Sequence, residues 1–164
     1  MAPLTSPRSN HPPTGHRSDH RPVAVTSTES GAGILDTSTV MLLPRLSDPG
    51  ALPAAPTITA ITLAELSVGP LVASTHTERG RRQAHLQQAE SDFDVLPFDQ
   101  AAARAFGRVA SDLRKAGRKP SARAYDALIA ATAISRGLPL YTTNPEDYAA
   151  ISGLDLIPVP HPDH

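Results

Sequence analysis

The chain has 164 residues, which is the size of a single domain with a core of its own. It contains no cysteine, and this excludes disulfide scaffolds, thiolate zinc sites and cysteine nucleophiles. Because it has no run of about 18 apolar residues and a polar N-terminus, we expect no membrane span and no secretory signal, and we assign the chain to the cytoplasm. The formal net charge of −1 neither supports nor opposes nucleic-acid binding.

The first 33 residues differ in composition from the remainder. They are rich in Pro, Ser, Thr, His and Gly and show no hydrophobic periodicity, so we predict a disordered extension over 1–33. A start site placed too early would give the same pattern. The folded domain is expected over 34–160.

Strands and helices are predicted to alternate from residue 34 onward. A short strand, 34–35, ends at Asp36, and a helix begins near 39 and ends before Pro44. A second strand over 57–61 leads into a helix that Gly69-Pro70 stops.

The second half continues this alternation. Asp99 stands where a helix N-cap is expected, and Gly137 where a C-terminal glycine is expected. The remaining predicted elements are a helix over 71–91 that Gly80 could break, a strand over 93–98, a helix after Asp99 with Phe106, Val109 and Leu113 on one face, a helix over 122–136, and strands over 138–142 and 154–159. Such alternation predicts a parallel sheet covered on both faces, with sites at the carboxyl ends of the strands.

Four acidic residues stand at the edges of these apolar segments: Asp36, Glu65, Asp126 and Asp147. Hard oxygen ligands that converge at strand ends and helix starts are what Mg²⁺ or Mn²⁺ requires for phosphoryl chemistry. We therefore interpret the four as one divalent-metal site that the fold assembles.

Each acid also has a simpler interpretation. Asp36 could be a helix N-cap only, although a capping carboxylate would also face the ligand-binding edge of the sheet. Glu65 could point to solvent, and Asp126 could complement a helix dipole, an effect of roughly 0.3–1 kcal/mol. Position alone does not decide between these alternatives.

Four ordered motifs closely resemble the PIN-domain ribonucleases, in particular the VapC-type toxins of bacterial toxin–antitoxin pairs. They are Gly-Ile-Leu-Asp-Thr-Ser (33–38), Ile-Thr-Leu-Ala-Glu-Leu (61–66), Ala-Tyr-Asp-Ala-Leu-Ile-Ala-Ala-Thr-Ala (124–133) and Leu-Tyr-Thr-Thr-Asn-Pro-Glu-Asp-Tyr (140–148). The resemblance covers about residues 33–159. It implies a three-layer α/β/α fold with a central parallel sheet and Mg²⁺-dependent hydrolysis of RNA, with Mn²⁺ as an alternative metal.

The resemblance also assigns roles to residues. Asp36, Asp126 and Asp147 are expected to bind the metal, and Glu65 to act with them directly or through water. In many family members the fourth acid falls where Asn144 stands, and in others it comes three residues later, as Asp147 does here. We select Asp147. The expected supporting residues are Ser38, Thr142 and Asn144.

The expected partners follow from the same resemblance: an RNA substrate such as tRNA or rRNA, a VapB-like antitoxin and a second copy of the chain. Arg104 and Arg108 are four residues apart and share a helix face. They could form an ordinary solvated surface or a contact for RNA or the antitoxin.

Two other functions compete with a nuclease. Haloacid-dehalogenase-like phosphatases need a second Asp two residues after the first, and this chain has Ser38 there. A catalytically silent interaction protein with the PIN fold, acting through an antitoxin-like partner, is the alternative from another class. No histidine lies in the four motifs, which disfavours a ribonuclease that uses histidine as acid and base.

Overall fold

The computed structural model describes residues 31–164, apart from the side chains of Pro120 and Ala122. Residues 1–30 of the predicted extension therefore lie outside the described residues, and their disorder stays a prediction. The first strand begins at Ala32, inside the range assigned to the extension. Within residues 31–164, no helix has the length and hydrophobicity needed to cross a membrane.

Strands and helices alternate along the described chain. The strands are β1 (Ala32–Leu35), β2 (Ala55–Thr59), β3 (Asp94–Leu96), β4 (Leu140–Thr142) and β5 (Leu156–Pro158). The helices are α1 (Thr37–Leu42), α2 (Ala60–Val68), α3 (His76–Asp92), α4 (Gln100–Lys115) and α5 (Ala124–Arg136). Short 3₁₀ turns occupy Leu43–Arg45, Pro49–Ala51, Pro120–Arg123 and Pro145–Asp147.

The strands form one parallel sheet in the order β3-β2-β1-β4-β5. The central strand is β1, in which Ile34 is in register with Thr57 on one side and Leu140 on the other. All carboxyl ends meet at one edge of such a sheet, and Asp36 follows the central strand directly. The predicted parallel sheet is confirmed.

Helices cover both faces of the sheet, as predicted. Successive strand residues point to opposite faces, so Ile34 and Leu35 belong to different cores. Ile34 packs with Val109 of α4 and Ile129 of α5. Leu35 packs on the other face with a cluster that includes Leu66 of α2.

The core between α4 and α5 is built largely from alanine. Fully or almost fully buried alanines on the two helices are Ala102, Ala105, Ala127, Ala130, Ala131 and Ala133. Small side chains let the two helix backbones approach each other and the sheet closely, which compensates for a chain with only 4% aromatic residues.

The predicted helix caps agree with the structure, but some helix starts do not. Asp99 Oδ1 accepts a hydrogen bond from Ala102 N over 3.0 Å, and Gly137 adopts the left-handed φ of 62° that ends α5. The third helix begins at His76 instead of 71, because Thr75 Oγ1 accepts from Glu78 N and caps it there. It runs through Gly80 without a break.

Candidate active site

Asp36 is a buried carboxylate in a dense set of hydrogen-bond donors. It caps α1 through Oδ1, which accepts from Thr39 N over 2.8 Å, and only 3% of the residue is exposed. Ser38 Oγ lies 2.9 Å from both carboxylate oxygens. Thr142 Oγ1 donates to Oδ2 over 2.6 Å from the end of β4. The carboxylate that caps α1 is therefore the same group that was predicted as a site acid. Ser38 and Thr142, the predicted supporting residues, both donate hydrogen bonds to it.

Glu65 projects from α2 toward the same edge of the sheet, and its carboxylate accepts a hydrogen bond from Thr37 Oγ1. Burial raises the pKa of Glu65 above its ordinary value; the Thr37 bond opposes this, and the charges of Asp126 and Asp36 add to it. Thr37 directly follows Asp36, so this hydrogen bond places Glu65 near Asp36. Glu65 is half-buried and hydrogen-bonded, which does not fit a side chain that simply extends into solvent.

Asp126 lies in the first turn of α5 and is half-buried. Burial raises its pKa, and the negative charges of Asp147 and Asp36 raise it further, whereas Arg123 and a hydrogen bond from Tyr148 act in the opposite direction. Asp126 also shares contacts with two other predicted acids: the Tyr148 hydroxyl links it to Asp36, and Arg123 links it to Asp147.

Asp147 and Asn144 differ in their contacts. Asp147, at the end of the 3₁₀ turn after β4, forms an ion pair with Arg123. Arg123 Nη1 also lies 3.8 Å from Asp126 Oδ2, so it bridges the third and fourth acids. The Asn144 side chain is exposed and makes no capping hydrogen bond, whereas its backbone N donates to Thr142 Oγ1 over 3.0 Å. This geometry favours Asp147 as the fourth acid.

Two residues at the centre of the site were not predicted. The Tyr148 ring is buried, and its hydroxyl lies 3.4 Å from both Asp36 Oδ2 and Asp126 Oδ1. Burial raises the pKa of Tyr148 well above its ordinary value, and both carboxylates contribute, so the phenol remains protonated and can donate. Thr143 Oγ1 contacts Ser38 Oγ over 3.0 Å. Tyr148 directly follows the predicted site residue Asp147, and this position was the sequence signal that could have identified it.

Arg104 and Arg108 do not take part in this cluster. Both are exposed on α4, and within residues 31–164 neither forms an ion pair or a side-chain hydrogen bond. Their predicted role as a contact for RNA or an antitoxin stays a prediction.

The chemistry of the donors fits a hard divalent cation. Burial raises the pKa values of Glu65 and Asp126, and the charges of neighbouring carboxylates raise them further, an effect that a bound cation would oppose. Among the described residues, however, no three acidic or histidine side chains form a ready-made metal-binding group. Asp147 instead contacts Arg123 and Glu65 contacts Thr37. A cation would have to compete with these protein donors.

Residues 34–154 match the family model described as PIN domain. The chain belongs to the PIN-domain family. It is 40% identical to Ribonuclease VapC5 of Mycobacterium tuberculosis over 129 residues, which are 77% of this chain and 93% of that protein. It is 34% identical over 97 residues to the tRNA(fMet)-specific endonuclease VapC of Shigella flexneri, or 59% of this chain and 70% of that protein.

A solved PIN-domain structure is also similar. The crystal structure of VapBC-5, a member of the VapBC family of toxin-antitoxin systems from Mycobacterium tuberculosis, superimposes with a TM-score of 0.68 at 37% identity. The match covers 79% of this chain and 99% of that one. The predicted family and the predicted PIN fold are both confirmed.

Proposed function

We propose that this PIN-domain protein is a Mg²⁺- or Mn²⁺-dependent endoribonuclease and the toxin of a VapBC-type pair. The chain is a ribonuclease of the VapC family. The observation that supports the metal dependence is the grouping of Asp36, Glu65, Asp126 and Asp147 at one edge of the sheet, where shared hydrogen-bond and ion-pair partners link them. Clustered carboxylates suit phosphodiester hydrolysis because they bind the cations that this reaction uses.

Each acid has a distinct task in this proposal. Asp36, held rigidly by its donors, and Asp126 and Asp147 would hold the cation, which supplies an activated water and stabilises the leaving oxygen. Glu65 is half-buried near Asp36 and would take a proton from the attacking water. Tyr148 keeps Asp36 and Asp126 in place.

The substrate we propose is structured RNA, either tRNA or rRNA. A relative at 34% identity carries the name of a tRNA(fMet)-specific endonuclease. Attack by water would leave a 5′-phosphate and a 3′-hydroxyl, since the 2′-hydroxyl takes no part.

The partners we propose are a VapB-like antitoxin and a second copy of the chain. The similar solved structure is that of a VapBC toxin-antitoxin system. An antitoxin would silence the nuclease until it is removed.

One observation favours the alternative of a catalytically silent PIN protein. Arg123 forms an ion pair with Asp147 and lies 3.8 Å from Asp126 Oδ2. In a silent protein this arginine would keep Asp147 occupied when a divalent cation is supplied.

A cleavage assay separates these functions. Purified protein is incubated with tRNA and with rRNA in Mg²⁺, in Mn²⁺ and in EDTA, and the ends of the products are mapped. We expect cleavage only with metal, and a loss of at least about 100-fold in rate for Asp36→Asn and for Asp126→Asn. Glu90→Gln, an equal charge change on the exposed side of α3, should retain the full rate.

Two results would contradict the mechanism. Cleavage that persists in EDTA would show that no divalent cation is needed. Products that end in a 2′,3′-cyclic phosphate would show attack by the 2′-hydroxyl. Absence of cleavage under all conditions would support the silent interaction protein.

A further inference from the structure

A cavity of about 530 Å³ opens beside the acid cluster. Arg123, Asn144 and Asp147 line it together with His161 and His164. The two histidines come after the segment that matches the PIN domain, which ends at residue 154. The C-terminal turn, residues 160–164, therefore adds a wall to this cavity from outside the matched segment.

The C-terminal turn is fixed to the body of the protein. Val159 N donates to Thr142 O over 2.8 Å, which extends the pairing of β4 and β5, and the Val159 side chain is buried. Asp163 forms an ion pair with Arg45, in the turn after α1. These contacts hold both histidines beside the cavity.

A hydrogen bond to His161 determines which of its ring nitrogens can donate to a ligand. His161 Nδ1 accepts a hydrogen bond from Asp163 N over 3.1 Å, so the neutral ring carries its proton on Nε2. The His164 ring lies 5.1 Å away at a tilt of 52°. The turn thus offers an N–H donor and two flat imidazole surfaces.

A nucleotide matches this combination of groups. The His161 Nε2–H suits a hydroxyl or carbonyl oxygen of the ribose or base, and Asn144 offers amide groups to the edge of a base. Unstacked RNA bases bind on the flat faces of side chains that include histidine. Small-molecule pockets of about 300–1,000 Å³ are common, and this cavity falls within that range. Because Asp147 and Glu146 also line the cavity, a ligand that binds there through hydrogen bonds and stacking fits better than a free small anion.

We propose that the C-terminal turn forms a subsite for the RNA nucleotide next to the cleaved bond, with His161 as a positioning residue. The proposal rests on the ribonuclease function above. His161 acts on substrate binding and strand placement, and the acid cluster performs the hydrolysis. Substitution should therefore change KM much more than kcat.

The test compares steady-state cleavage of an RNA stem-loop that is taken from the cleaved tRNA or rRNA and contains the mapped cleavage site. We expect His161→Ala to raise KM roughly five- to tenfold while kcat stays within about twofold. His161→Gln should restore part of the affinity, because the Gln amide N can donate in place of Nε2. His76→Ala, an exposed histidine at the start of α3, is the matched control and should leave KM unchanged.

A binding measurement supports the kinetic one. Fluorescence anisotropy of the 5′-fluorescein form of the same RNA is measured in an Asp36→Asn background, in which cleavage is too slow to interfere. Adding His161→Ala should weaken binding by the same roughly five- to tenfold. Thermal unfolding of each variant confirms that the fold is retained.

The outcomes separate this inference from the proposed function. If wild type cleaves RNA but His161→Ala and a chain ending at Pro160 both keep the wild-type KM, the subsite is wrong and the nuclease stands. If His161→Ala lowers kcat by orders of magnitude at constant KM, His161 acts on the reacting atoms and the positioning role is wrong. If wild type neither binds nor cleaves RNA, both proposals fail.

Discussion

The most constrained residue of the molecule is Asp36. Its carboxylate accepts hydrogen bonds from Thr39 N, Ser38, Thr142 and Tyr148. These bonds replace the contacts with water that a residue only 3% exposed has lost. These donors also fix the direction in which the carboxylate faces. Burial raises the pKa of Glu65 and of Asp126, and neighbouring carboxylates raise both further. Ionisation of these two acids is therefore unfavourable in the folded protein.

The raised pKa of Glu65 predicts that the stability of the folded protein depends on pH. Its pKa is higher in the folded protein than in the unfolded chain, so folding favours the protonated form. The stability from this group is fully present below the unfolded pKa and is lost as pH rises through the folded pKa. In EDTA at neutral pH, Glu65→Gln should therefore melt a few degrees higher than wild type, and the amide oxygen can still accept from Thr37.

Melting temperatures across the acidic to neutral range check this prediction. The advantage of Glu65→Gln should shrink as pH falls and disappear where Glu65 is protonated. Glu90→Gln, exposed on α3, should show no comparable gain. A Glu65→Gln protein that is less stable than wild type at neutral pH would contradict the raised pKa.

The acids were predictable from sequence, but most of their partners were not. Asp36 and Asp126 are marked by local pattern, since each stands beside an apolar strand or helix. The Tyr148 contact with Asp36 spans 112 positions, and only the assembled sheet creates it. Nothing in the local pattern identifies Arg123 as a site residue, because its pairing with Asp147 depends on the turn after β4.

Element boundaries show the same division between local and long-range causes. The position of Asp99 and Gly137 predicted the start of α4 and the end of α5, because caps act within one turn. The start of α3 was predicted too early because residues 68–72 form hydrogen-bonded turns, which the hydrophobic pattern cannot distinguish from a helix. The capping pair Thr75 and Glu78 was the sequence signal for the true start of α3.

At the level of elements, the close packing of α4 and α5 fixes the position of Asp126. Ala131 of α5 is fully buried in the core that includes Val109 of α4. Ala131→Leu adds volume where no space exists and should lower the free energy of unfolding by about 1–3 kcal/mol. Ala103→Leu, on the exposed side of α4, should have little effect.

Urea unfolding of both variants measures this difference. Because α5 carries Asp126, the Ala131→Leu protein should also lose part of its cleavage rate at temperatures where it remains folded. Equal unfolding midpoints for the two leucine variants would show that the helices can separate without cost.

At the level of the whole molecule, the sheet brings together segments from the entire described chain. Asp36 follows β1 at its centre, Asp147 follows β4, and the C-terminal turn follows β5 at the sheet edge. The fold class was predictable because alternation of strands and helices is a repeated local pattern. The contribution of His161 was not, since no acidic motif contains it and only the strand order places it beside Asp147.

The exposed helix α4 offers a surface on which partner binding can be tested. Arg104 and Arg108 are exposed and four residues apart on one face of α4. If an acidic or mixed-charge antitoxin docks there, reversal of both charges should slow its association and weaken its affinity roughly tenfold at low salt.

The measurement uses the antitoxin that co-purifies with the tagged chain from its native operon, immobilised for surface plasmon resonance. Arg104→Glu/Arg108→Glu is compared with Arg79→Glu/Arg81→Glu, which makes the same charge change on exposed positions of α3. We expect the loss of affinity only for the α4 variant, and a smaller loss at high salt because ions screen exposed charges. Equal affinities for the two variants would remove Arg104 and Arg108 from the interface, and recovery of the chain alone from the operon would count against an antitoxin partner.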